Sequence, residues 1–221
     1  MTVGEAIQKI GEIGIVPVIR AASVDLARRA VEAMCAAGIP IVEITMTVPN
    51  ATQVIREITR AYGNKLMAGA GTVLTASQAA ECIDAGAEFL VSPGFSVPVL
   101  HTAQAQGKLA IPGVLTPTEL MAAAAEGAQV IKVFPCGNLG GPRYIKALKA
   151  PFPDIALIPT GGVNPTNAGE YFTAGAFAVG IGGDLVNIAA LREGRTQEIV
   201  ETAKKLVDTV SRARQANRVP A

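Results

Sequence analysis

The 221-residue chain is poor in several things, and each shortage excludes something. Aromatic residues make up 4% of it and charged residues 17%, and it has one histidine and three cysteines. Cys35, Cys82 and Cys136 are far apart and odd in number, so they read as reduced thiols rather than as a disulfide framework. The one histidine, His101, falls in a helical pattern, and no His/Cys cluster has zinc spacing. No metal and no cofactor is therefore expected. A net charge of +1 without a basic cluster leaves no footprint for nucleic acid or for an anionic membrane. No apolar run approaches the roughly 18 residues that would span a bilayer. The opening MTVGEAIQKIGEIG carries acidic residues and lacks the basic start and long apolar run of a signal peptide. A cytoplasmic location is the expectation.

What is abundant is apolar: half of the residues are hydrophobic. That points to a large core with buried subunit contacts, hence a homo-oligomer. Short apolar runs alternate with longer amphipathic segments from end to end. The expected strands are IVPVI (15–19), IVEIT (41–45), LMAGA (66–70), EFLVS (88–92), LAIPG (109–113), VIKVF (130–134), IALIP (155–159) and AFAVGI (176–181). Helices between them open at the caps Ser23, Asn50 and Thr75 and at Thr116-Pro117 and Asn164-Pro165, where proline takes the first helical position. The tripeptides AAG, DAG, AEG and TAG end helices before the next strand. Strands apolar on both faces and separated by helices require a parallel sheet covered by helices. Eight such units close into a (β/α)₈ barrel, with an open doubly wound sheet as the second choice. One domain over 1–221 is expected, with an extra helix at 2–13 beneath the barrel and a last helix at about 195–216.

In such a barrel the chemistry sits at the C-terminal strand ends. The polar residues there are Arg20, Glu43, Thr45, Thr72, Ser92, Lys132 and Thr160, with the glycine pairs 161–162 and 182–183. Lys132 lies in the middle of AQVIKVFPCG (128–137), an otherwise dry strand. Strands alternate faces, so Glu43 and Lys132 can share the barrel interior. An unpaired charge there would cost several kcal/mol, about what the other charge can partly offset. A structural buried ion pair is the plain reading. The site's location favours chemistry instead.

Apolar neighbours, or a cation such as Arg20, make a lysine amine easier to deprotonate and so a nucleophile toward a carbonyl carbon. Glu43 could then move protons on and off the substrate. PTGGVNP (159–165) and GIGGDL (180–185) end the strands where barrels commonly build phosphate sites from backbone N–H groups. Asp184 is expected to point away from such a site. AGAGTVL (68–74) lacks the third glycine of a dinucleotide fingerprint, because Leu74 stands there. Its backbone N–H groups and the Thr72 hydroxyl suit a carboxylate. Cys136 has no histidine placed to activate it and reads as a bystander.

Together, VIR (18–20), VEITMTVPNA (42–51), GAGTVL (69–74), FLVSPG (89–94), IPGVLTPTEL (111–120), IKVFP (131–135), GGPRYIKALKAPFP (140–153) and IPTGGVNP (158–165) resemble the 2-keto-3-deoxy-6-phosphogluconate (KDPG) and 4-hydroxy-2-oxoglutarate (KHG) aldolases. The resemblance runs from about residue 13 to 210. It implies a class I, Schiff-base aldolase on a (β/α)₈ barrel, a homotrimer that cleaves a phosphorylated 2-keto acid to pyruvate and glyceraldehyde 3-phosphate.

By the same resemblance Lys132 matches the Schiff-base lysine and Glu43 the general acid/base. Thr72 and Arg20 match residues at the substrate carboxylate, and Pro93 and Phe134 match residues packed on the pyruvyl group. Thr160, Gly161, Gly162, Gly182 and Gly183 match the region of the phosphate. Where some members carry an arginine after the Glu-x-Thr strand, this chain has Met46 and Thr47, which leaves Arg20 as the one arginine for the carboxylate. Where others place a serine in the last glycine turn, it has Gly183 and Asp184, which leaves the phosphate to backbone groups. The galactonate epimer and KHG remain as alternative substrates. A phosphate-binding isomerase-like barrel and a non-catalytic metabolite-binding protein remain as other readings.

Overall fold

The computed structural model describes residues 1–216; the single-domain expectation also covers 217–221, which lie outside the described residues. The strands are β1 (Ile15–Ile19), β2 (Ile41–Thr45), β3 (Met67–Gly71), β4 (Phe89–Val91), β5 (Leu109–Ile111), β6 (Gly113–Val114), β7 (Val130–Val133), β8 (Ala156–Pro159) and β9 (Val179–Ile181). The helices are α1 (Val3–Ile13), α2 (Val24–Ala36), α3 (Ala51–Tyr62), α4 (Ala76–Asp84), α5 (Val97–Ala105), α6 (Pro117–Ala125), α7 (Pro142–Lys149), α8 (Ala168–Thr173), α9 (Ile188–Arg192) and α10 (Thr196–Ala216). Among the described residues no helix is long and apolar enough to cross a membrane.

All strand pairs are parallel. Six strands run in the order β5-β4-β3-β2-β1-β9 and three in the order β6-β7-β8. Two joints turn these arcs into a ring: the Lys132 amide donates to the Pro112 carbonyl at 2.9 Å, and Thr160 bridges Gly180. The result is a (β/α)₈ barrel. Its fifth strand, expected as one run over 109–113, is two segments, because Pro112 has no N–H to give to a ladder.

The alternation of side chains sorts the apolar residues into two cores. Outward residues such as Ile19, Ile44, Ala70, Leu90, Ile131 and Val179 pack under the helices. Inward residues Val16, Ile41, Met67, Phe89, Leu109, Val130, Ile158 and Ala178 fill the barrel together with Ala6 and Ile10 of α1. The extra helix thus closes the lower end of the barrel, as expected. It is opened by a reciprocal Thr2–Glu5 capping box.

The helix-ending glycines adopt positive φ, as at Gly86 (103°) and Gly127 (85°), where other residues would be strained. The last helix, α10, lies against α2 and α8 and completes the ring. Two caps differ from expectation. Asn50 precedes α3 at φ 53°, but its side chain makes no capping bond. The helix expected from Asn164-Pro165 begins at Ala168, because the Asn164 side chain accepts the amides of Thr166 and Asn167 and holds a turn there first.

Candidate active site

Inner-face parity puts Glu43 on β2, Lys132 on β7 and Thr160 just after β8 inside the barrel. All three are buried, at 3%, 4% and 6% exposure. They line one void of about 10 Å³ with Val16, Val91, Ile111, Ile158 and Gly180. Thr45, two residues beyond Glu43, donates to the Ile19 carbonyl at 3.1 Å and lies 2.6 Å from the Thr47 hydroxyl, which ties the end of β2 to β1.

The carboxyl of Glu43 is the unusual group. Its Oε1 is buried without a hydrogen-bond partner, and among the described residues no ion pair joins it to Lys132. That argues against a structural ion pair, in which contact and hydrogen bonds must offset desolvation. Burial pushes the Glu43 pKa up, and the positive charges of Lys132 and Arg20 pull it part of the way back. Gly71 on β3 makes room for the arm: a Cβ there would stand 1.9 Å from Glu43 Oε1. Gly180 does the same for Thr160, whose Oγ1 would lie 2.3 Å from an added Cβ.

Around the upper rim, Arg20 is exposed at the end of β1, within electrostatic reach of Glu43. Thr72 follows β3 at φ 58°, the left-handed region, which a β-branched residue rarely enters and which gathers at functional sites. Ser92 is buried and Pro93 half-buried after β4. The Phe134 ring centroid lies 5.0 Å from Lys132 Nζ, and a Cβ on Gly161 would touch that ring at 3.4 Å. Gly161 and Gly162 turn at φ 84° and 80° against Gly137, with the Gly137 amide donating to the Gly161 carbonyl. Gly182 and Gly183 follow β9, and the space around Gly183 is open.

The structure thus gathers Glu43, Lys132 and Thr160 inside the barrel, with Phe134 and Gly161 adjoining. Arg20, Thr72, Pro93 and the last glycine pair stand at strand ends on the rim. Asp184 is exposed. Sequence reasoning missed Gly71 and Gly180. Their signal was inward parity on strands flanking the polar residues.

Other candidates fall away. His101 meets Glu126 at 2.8 Å on the surface, joining α5 to α6. Cys136 is buried and its thiol is pushed up to about 12, too high for a nucleophile. Among the described residues no three or more His, Cys, Asp or Glu gather as a metal site would require. A larger cavity, about 570 Å³, lies between α1 and α10. Its Arg214 is engaged with the Glu12 carbonyl at 2.8 Å, and it lies far from the Glu43–Lys132 void in the fold.

A closed parallel barrel holding an amine and a buried carboxyl with one unpartnered oxygen has the groups that Schiff-base enzymes use, the class I aldolases among them. Comparison with known proteins narrows the class. The model of the KDPG and KHG aldolase family matches residues 6–202, and the chain belongs to that family. It is similar to the 2-dehydro-3-deoxy-6-phosphogalactonate aldolase of Escherichia coli K12, 36% identical over 200 residues that cover 90% of this chain and 97% of the relative. The KHG/KDPG aldolase of the same organism is 33% identical over 207 residues, 94% of this chain and 96% of that one. Among solved structures, the KDPG aldolase of Legionella pneumophila, with pyruvate captured as a covalent carbinolamine, superposes with a TM-score of 0.84 at 30% identity and covers 90% of this chain and 97% of its own.

Proposed function

We propose that the protein cleaves 2-keto-3-deoxy-6-phosphogluconate reversibly to pyruvate and glyceraldehyde 3-phosphate through a Schiff base on Lys132. The observation that carries this reading is the buried Glu43 carboxyl, its Oε1 without a hydrogen-bond partner among the described residues, in the same void as Lys132. The Lys132 amine adds to the C2 carbonyl carbon to give a carbinolamine. Glu43, as the acid, protonates its hydroxyl, which leaves as water and forms the iminium. The Glu43 carboxylate then takes the proton of the C4 hydroxyl. The C3–C4 bond breaks, its electron pair moves toward the iminium nitrogen as an enamine, and the aldehyde departs. Glu43 returns the proton to C3, and water releases pyruvate from Lys132.

Arg20 and Thr72 hold the C1 carboxylate, and Pro93 and Phe134 pack on the pyruvyl carbons. Gly161, Gly162, Gly182 and Gly183 present backbone groups to the phosphate. Thr160 starts that turn while its side chain faces the interior. The protein works as a single domain in a cytoplasmic homotrimer, without metal or cofactor. Leu74, Met121 and Leu139 are exposed apolar side chains that such contacts could cover.

The same chemistry on the galactonate epimer or on KHG is the second reading, favoured by relatives that carry those names. Pyruvate with borohydride, followed by digestion and mass spectrometry, should place the adduct on Lys132, and an unmodified Lys132 would refute the mechanism. The ratio of kcat/KM for the three substrates then decides between them.

A further inference from the structure

The seat of the Glu43 carboxyl is built by a residue with no side chain. In the register of β2 and β3, Glu43 pairs with Gly69 and Thr45 with Gly71. The Glu43 arm leans along the strand and crosses onto β3 at Gly71. A Cβ on Gly71 would meet Oε1 at 1.9 Å, Cδ at 2.6 Å and Cγ at 2.7 Å, and its three nearest atoms all belong to that arm. Gly71 lies within β3 and its φ is not left-handed, so room rather than backbone freedom requires glycine there. Among the described residues Oε1 has no hydrogen-bond partner, so the room over Gly71 bears directly on where the arm can stand.

We propose that Gly71 is a positioning residue for the aldol chemistry: its bare backbone sets where the Glu43 carboxyl stands relative to the substrate carbon. The proposal rests on the reading of Glu43 as the acid/base. It concerns the half-reaction in which Glu43 takes a proton from the methyl carbon of the pyruvyl iminium. There the C–H electron pair becomes the enamine double bond, and in heavy water a deuteron returns to the carbon.

The test follows methyl exchange of pyruvate in D2O by NMR beside borohydride trapping on Lys132. Gly71→Ala should lower exchange about 100-fold, the scale of a misplacement near 1 Å, while pyruvate is trapped to the same final extent. Adding Glu43→Asp to Gly71→Ala, which shortens the arm by one methylene, should return at least about tenfold of that loss. A merely structural glycine would not be rescued in this way. Wild-type exchange in Gly71→Ala, or no rescue by Glu43→Asp, overturns the proposal. If Gly71→Ala does not fold, Glu43→Ala should restore folding by removing all three atoms the new methyl meets, and failure to do so also overturns it. Glu43→Gln separates the two layers: if it keeps full exchange, the acid/base reading falls and takes the proposal with it; if it loses exchange, any failure belongs to Gly71 alone.

Discussion

Glu43 is buried where a charge is costly, and this has a pH signature. Burial raises its folded pKa above the ordinary carboxylate value of about 4.3, against the pull of Lys132 and Arg20. For a raised pKa, the favourable contribution to stability is complete below the unfolded value and is lost as pH rises through the folded one. Glu43→Gln should therefore melt at a higher temperature than the wild type at neutral pH, and the difference should vanish below about pH 4, the unfolded carboxylate range. Thermal melts across that range check the sign; a less stable variant at pH 7 would mean that the ionised carboxylate is well paired. The same variant should lose about 10²- to 10⁴-fold in pyruvate exchange, the usual share of general acid–base catalysis. Much of this residue was legible in VEIT and VIKV, where strand alternation allowed Glu43 and Lys132 to share the inner face. The seat at Gly71 was not, because it depends on which residues of neighbouring strands lie side by side, and that register is not written in either strand.

At the scale of elements, the two ends of the barrel divide stability from chemistry. Helix α1 buries Ala6 and Ile10 against the inward side chains at the lower end, opposite the strand ends that carry the proposed site. Ile10→Ala should cost about 2–5 kcal/mol in urea unfolding and leave the rate of pyruvate exchange unchanged. A loss of exchange in a still-folded variant would contradict that division. The helices were legible because amphipathic spacing and glycine ends agree with each other. The start of α8 was not, because Asn164 spends its side chain on a local turn that sequence pattern alone cannot tell from a cap. The break at Pro112 was visible as a proline, but its outcome depended on whether the ladder there needed an amide.

The whole molecule was legible in outline because eight dry strands alternating with helices leave few ways to hide every edge, and closure is one of them. The proposed assembly rests in the sequence only on an excess of apolar residues. Leu74, Met121 and Leu139 remain 55%, 60% and 44% exposed. If the proposed trimer forms through this surface, replacing Met121 and Leu139 together by glutamate should lower the mass measured by light scattering from three times toward one times the 22.7 kDa chain. An unchanged mass would place the contact elsewhere. Closure also has a consequence in time. Ile15 of β1 pairs with Val179 of β9 within one arc, Thr160 and Gly180 join that arc to the other, and Glu43 and Lys132 belong to different arcs. Contacts so distant in sequence raise the contact order and slow folding. The interior that the Glu43 and Lys132 side chains share is complete only when both arcs are joined, so the proposed chemistry depends on the closed ring and not on either arc by itself.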